Sequence, residues 1–216
     1  MTSISTQDTH QASAQFWDRA ARKYAASKIS NMDAYEKTLD HTRAYLSPTD
    51  TVLEIGCGTG STALLLAPNV ARYTASDISG KMVEIGREKA AAAGVGNITN
   101  VQGVLGDAAL STGPFDTVLA FNLLHLIRDP GAEARKAHAV LKPGGMFISK
   151  SACMSGWRRG LQPIIGIMQL LGKAPFVGFT SVKKLESMIS DAGFEIVESF
   201  NPSGSPMGRF IAARKL

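Results

Sequence analysis

Acidic residues are absent from one long stretch of this chain. Between Glu133 and Glu186 there is no Asp or Glu, while Arg135, Lys136, Lys142, Lys150, Arg158, Arg159, Lys173, Lys183 and Lys184 all fall there. Within that stretch, residues 161–171 are apolar on nearly every face. A basic, apolar segment suits either an acidic, lipophilic small molecule or an anionic membrane surface. It also suits the solvated basic rim of an ordinary substrate lid. Nucleic acid fits less well, because aromatic residues do not alternate with the cations as a base-stacking platform requires. Cysteine is scarce: Cys57 and Cys153 are the two in 216 residues, and they form no CxxC or metal-like cluster. That excludes a disulfide framework and points to free thiols in a reducing cytoplasm. No apolar run reaches the roughly 18 residues of a membrane span. The first ten residues are polar, with no signal-peptide core and with the composition of a disordered terminus. The expectation is a cytoplasmic protein, with peripheral contact at the inner membrane surface as a candidate property.

What is present is a hydrophobic fraction of 44% and a modest net charge of +5, suited to one globular domain with a substantial core. The most informative run is Val52-Leu53-Glu54-Ile55-Gly56-Cys57-Gly58-Thr59-Gly60. Strand-forming residues enter a turn with glycine at every second position, and a helix start follows at Ser61. Such a turn lets backbone approach a ligand that any Cβ would push away. Glu54 sits two residues before the first glycine. In a dinucleotide fold an acid there would oppose the pyrophosphate that the helix N-terminus attracts. It would instead favour a cofactor bearing positive charge.

Elsewhere strands and helices alternate. Helices are expected over 11–24 and 32–45. Strand 51–55, helix 60–67, strand 71–76, helix 79–93, strands 98–104 and 115–121, helix 130–140 and strand 145–151 follow. Residues 154–180 break the rhythm and read as an inserted lid with one short helix. Helix 181–191 and strands 194–200 and 207–213, joined by a turn at 201–206, close the chain. The alternation predicts a parallel sheet with helices on both faces.

Four segments in order resemble the motifs of the class I S-adenosylmethionine (SAM)-dependent methyltransferases. They are the glycine turn, the strand ending Ser76-Asp77-Ile78-Ser79, the strand 115–121 leading into Asn122, and Leu141-Lys142-Pro143-Gly144-Gly145 before the fifth strand. The resemblance covers residues 35–213 and is closest to small-molecule enzymes of the ubiquinone and menaquinone type. It implies a Rossmann-like, doubly wound seven-stranded α/β sheet, mostly parallel with a C-terminal antiparallel hairpin. Residues 1–47 would form a helical cap on a SAM-binding domain at 48–216.

The resemblance also implies site residues. Glu54, Gly56, Cys57, Gly58 and Gly60 would form the cofactor turn. Asp77, 21 residues beyond Gly56, would accept the ribose hydroxyls, and Ile78 would pack on adenine. The adenine edge has two alternatives: the Asp107 carboxylate of Gly106-Asp107, or backbone at Val104 and Leu105. Asp107 lies only eight residues before Phe115, closer than is usual in the family. Asn122 would lie near the methionine moiety. His125 is a candidate general base, or else a residue that caps or packs a short helix. Tyr24 resembles the family's N-terminal lid tyrosine, or else packs as an interior aromatic. Trp17 is expected to hold its helix down, and Trp157 to line the substrate mouth or an interface. Methyl transfer from a sulfonium needs alignment more than it needs a catalytic residue. No carboxylate cluster suggests a metal.

The reading is methyl transfer to a small, lipophilic or acidic acceptor with no nucleic-acid partner. A SAM-binding regulator without catalysis is the alternative.

Overall fold

The computed structural model describes residues 6–110, 113–154, 166, 168–169, 174–204 and 208–216. Seven strands form one sheet in the order β3-β2-β1-β4-β5-β7-β6. They are β1 (Thr51–Ile55), β2 (Arg72–Asp77), β3 (Ile98–Gln102), β4 (Phe115–Phe121), β5 (Leu141–Ala152), β6 (Phe194–Phe200) and β7 (Gly208–Lys215). Strands β1 to β5 are parallel, and β7 runs antiparallel between β5 and β6. The doubly wound α/β sheet and its closing hairpin therefore match the expectation.

The helices are α1 (Thr6–Ala26), α2 (Met32–Arg43), α3 (Ser61–Leu66), α4 (Gly80–Ala92), α5 (Pro130–Val140) and α6 (Val182–Ser190). Two ends depart most from the sequence expectation. Helix α1 begins at Thr6, so residues 6–10 are helical and not a disordered tail. Strand β5 begins at Leu141 and reaches Ala152, because its pairing with β4 skips from Leu141 to Met146 and leaves 142–145 as a bulge. Most of the expected lid, including Trp157 and residues 161–165, lies outside the described residues.

Successive strand residues serve opposite faces, as the pleat requires. Leu53, Val118, Phe147 and Ile211 pack on one side with Ala134 and Ala137 of α5 and Leu185 and Ile189 of α6. Val52, Leu119, Ile148 and Ala212 pack on the other with Leu39 of α2 and Leu66 of α3. Burial on both faces explains why these strands read as continuous apolar runs.

Helix α1 is pinned to the sheet's carboxyl edge by Asp18. One of its carboxylate oxygens accepts from Ser79 Oγ (2.6 Å) and from the Lys81 N–H (3.0 Å), at the N-terminus of α4. Helix α2 is tied to β6: His41 Nδ1 lies 2.8 Å from Glu198 Oε1, and Tyr45 donates to Glu198 Oε2 at 3.0 Å. No helix among the described residues is long and apolar enough to cross a membrane.

Candidate active site

Strand β1 is flanked by β2 on one side and β4 on the other, so the chain reverses its winding direction there. Open α/β sheets carry their ligand crevice at the carboxyl ends of the strands at such a point. The glycine turn leaves β1 at that place. Gly56, Gly58 and Gly60 have φ of 65°, 54° and 72°, where an L side chain is strained. Space is also tight at two of the three. A Cβ on Gly56 would meet Leu123 Cδ1 at 2.7 Å, and one on Gly60 would meet the Gly86 backbone at 3.2 Å.

Asp77, at the end of β2, holds this turn. Its Oδ2 accepts from the Gly58 N–H (2.9 Å), and its Oδ1 accepts from the Ser79 N–H (2.8 Å). Each oxygen keeps a second lone pair for a ligand hydroxyl. Burial raises the Asp77 pKa against the lowering effect of those two N–H groups. Beneath the turn Glu54 is 2% exposed and accepts from the Tyr73 hydroxyl at 2.9 Å. Burial pushes its pKa up to about 8; the Tyr73 bond opposes this and the Asp77 charge adds to it. The Cys57 thiol is buried and free, and burial followed by the same two acids moves its pKa upward. The two buried acids can be neutralised by protons or by a cation, which fits a positively charged ligand better than a phosphate.

A cavity of about 890 Å³ opens over this turn. Its floor is Gly56, Gly58, Asp77 and Ile78, one wall is Val104 and Leu105, and Trp17 and Tyr24 of α1 contribute to its lining. Tyr24 lies 3.5 Å from where a Gly58 Cβ would stand. Burial raises its phenol pKa, and the Asp77 and Glu54 charges add to the shift. The same cavity continues to Asn122, His125, Arg128 and Phe176.

Asn122 has φ 54°, an uncommon conformation that costs about 1–3 kcal/mol outside glycine. Lys150 clamps it: its carbonyl accepts the Asn122 N–H at 2.6 Å and its Nζ donates to Asn122 Oδ1 at 3.0 Å. Burial lowers the Lys150 pKa. The His125 ring accepts the Ala152 N–H at Nδ1 (3.4 Å), so its proton resides on Nε2. Burial, then the Lys150 charge, lowers its pKa to about 4. His125 is therefore neutral at pH 7 and offers a donor at Nε2.

Of the two adenine-edge alternatives, Val104 and Leu105 line the cavity and Asp107 does not. Asp107 Oδ2 instead accepts the Val104 N–H at 2.9 Å, shaping the loop from behind. Glu54, Cys57 and Gly60 also support the turn without lining the cavity. Sequence reasoning overlooked Asp18, Lys150, Arg128 and Phe176. It also read Trp17 as a packing residue, whereas Trp17 faces the cavity and makes edge contacts with Phe16 and Tyr24. The spacing of Trp17 and Tyr24 on one helical face was the available signal for α1 as a cover.

A doubly wound α/β domain with a glycine turn after its first strand defines a class of small-molecule and cofactor proteins. Residues 52–145 match the methyltransferase domain family. The chain is 32% identical over 154 residues to a ubiquinone biosynthesis O-methyltransferase of Xanthomonas axonopodis pv. citri (strain 306), covering 66% of this chain and 64% of the relative. It is 29% identical over 136 residues to a ubiquinone/menaquinone biosynthesis C-methyltransferase of Geotalea daltonii, covering 61% and 51%. The chain thus spans less than two thirds of the length of these relatives. Among solved structures, the magnesium protoporphyrin IX methyltransferase of Synechocystis PCC 6803, with bound S-adenosylhomocysteine, superposes with a TM-score of 0.72 at 21% identity, covering 97% of this chain and all of that one. A [4+2]-cyclase, SpnF, superposes with a TM-score of 0.70 at 18% identity, covering 83% and 80%. Residues 52–145 thus resemble a methyltransferase domain, and the chain as a whole has the fold of these solved enzymes. The cyclase shares the fold, so the reaction has to be argued from the site.

Proposed function

We propose that this protein binds SAM and transfers its methyl group to a small, partly apolar acceptor of the quinone-precursor kind. One observation carries this reading: a single cavity is lined at one end by Gly56, Gly58, Asp77 and Ile78, and at the other by His125, Leu126 and Phe176. Cofactor and acceptor could thus meet inside it. The similarity to quinone-biosynthesis methyltransferases supports the acceptor class.

Bound SAM would supply an electrophilic methyl on a sulfonium. An acceptor lone pair would take that methyl while the carbon–sulfur pair returned to sulfur, and the acceptor proton would pass to solvent or a base. The chain's contribution is alignment. Asp77 would hold the ribose hydroxyls through the lone pairs that Gly58 and Ser79 leave open. Ile78, Val104 and Leu105 would enclose adenine, with backbone groups of the loop reading its edge. Glu54 and Asp77 would place negative charge under the cationic methionine end, and Tyr24 would close over it. Asn122, held by Lys150, would set the boundary between the two ligands. With its Nε2 protonated, His125 serves better as a hydrogen-bond donor to an acceptor oxygen than as the proton-removing base.

Calorimetric titration with SAM, followed by a screen of metabolite fractions for S-adenosylhomocysteine release, tests the proposal. Micromolar binding with release in some fractions supports it. Binding without release favours a SAM-binding regulator, and no binding refutes both.

A further inference from the structure

The charges at the far end of the cavity are not balanced pair by pair. Glu133 of α5 faces Lys136 at 3.4 Å. Asp129 caps α5 by accepting the Ala132 N–H at 2.8 Å and lies 3.9 Å from Arg135. Arg128 lines the same cavity, and no carboxylate or other hydrogen-bond acceptor holds its guanidinium among the described residues. Its Cζ instead lies over the Phe176 ring, 4.8 Å from the centroid. A cation–π contact holds the guanidinium in place and consumes none of its five N–H donors. Leu126, Ile127 and Phe176 provide apolar surface beside it. An exposed guanidinium held beside an aromatic face at the cavity matches a planar anion attached to an apolar body.

We propose that Arg128 and Phe176 form an acid-binding subsite, so that the acceptor is an aromatic carboxylate with an apolar substituent. That the bound acid is a methyl acceptor rests on the methyltransferase reading above; the subsite itself rests on Arg128 and Phe176. The carboxylate docks on the guanidinium edge and the acceptor ring lies along Phe176 and Ile127. The reacting atom is then directed towards His125 and Asn122. Asp129 and Glu133 also line this end of the cavity, and their engagement with α5 and Lys136 leaves Arg128 as the group that can receive an anion.

The experiment is calorimetry on protein saturated with S-adenosylhomocysteine, using 4-pentylbenzoate and its neutral isostere 4-pentylbenzamide as probes. The acid is expected to bind about 10- to 100-fold tighter than the amide, as a charged bidentate contact implies. Arg128→Gln removes that preference and leaves S-adenosylhomocysteine affinity within about twofold, since no hydrogen bond or ion pair ties Arg128 to the glycine turn among the described residues. Equal binding of the two probes, failure of the acid to bind, or survival of the preference in Arg128→Gln each overturns the subsite. Failure of S-adenosylhomocysteine to bind overturns the methyltransferase reading instead. The acid–amide comparison, repeated on the cofactor-free protein, still decides on Arg128.

Discussion

Glu54→Gln should make the cofactor-free protein more stable and bind its cofactor less well. The wild-type carboxyl is buried and titrates at about 8, against an ordinary value of 4.5. A raised folded pKa means that the folded protein holds a proton the unfolded chain has released. The stabilising effect of protonated Glu54 is thus complete below pH 4.5 and is lost as pH rises through about 8. The full penalty on the charged form is on the order of 3–5 kcal/mol. Gln keeps the shape and the oxygen that accepts from Tyr73, and it never ionises. Urea unfolding at pH 6.5, 7, 7.5 and 8 reads the difference. His125 acts in the opposite direction between about 4 and its ordinary 6.5, an effect that fades across this range and is common to both proteins. Glu54 should contribute a fall of up to about 1.4 kcal/mol per pH unit to wild-type stability; any fall from Asp77, whose pKa is also raised, adds to it, so the variant should keep only the Asp77 part. A bound cation takes the place of the proton, so SAM affinity of the wild type should rise over the same range and that of Glu54→Gln should be lower and less dependent on pH. Parallel stability slopes in the two proteins would refute the argument, because they would show that Glu54 does not titrate there.

Three further outcomes test other parts of the site. Asp77→Asn should weaken SAM binding about 10- to 100-fold by calorimetry, through loss of charged hydrogen bonds to the ribose; unchanged affinity would remove Asp77 from that role. Gly60→Ala should cost roughly 2–5 kcal/mol of unfolding free energy, combining left-handed strain with overpacking against Gly86. Gly94→Ala, at φ 66° with nothing within 4 Å, should cost only the strain of about 1–2 kcal/mol, so equal costs would refute the packing argument. Asp18→Ala should lower stability by about 0.5–2 kcal/mol and expose α1 to proteolysis; protection equal to wild type would mean that α1 docks without its tie to α4.

Much of the fold was legible before the structure because its signals are local. The alternation of β1 to β5 with their helices and the left-handed Gly94 after α4 are set by propensity, periodicity and backbone sterics over a few residues. The glycine turn is of the same kind: Gly56, Gly58 and Gly60 declare positive φ and close approach without reference to the rest of the chain. The order of the cofactor-site elements follows from them, since a parallel sheet with one reversal has one crevice. Asp77 could be placed for that reason.

The acceptor end could not be read this way. Lys150 meets Asn122 across 28 residues, Asp18 meets Ser79 across 61, and Arg128 meets Phe176 within the lid sequence. No spacing rule links such pairs. The Asp107 carboxylate illustrates the same limit: its motif suggested a ligand, and its geometry turned it back on Val104. Protonation states were equally hidden. The sequence names Glu54 and His125 but not their burial, and it is burial that lifts one pKa to about 8 and drops the other to about 4. Local backbone preference, written residue by residue, was sufficient for the architecture and the glycine turn. Long-range packing, which sets contacts and dielectric together, decided which charges remain available for chemistry.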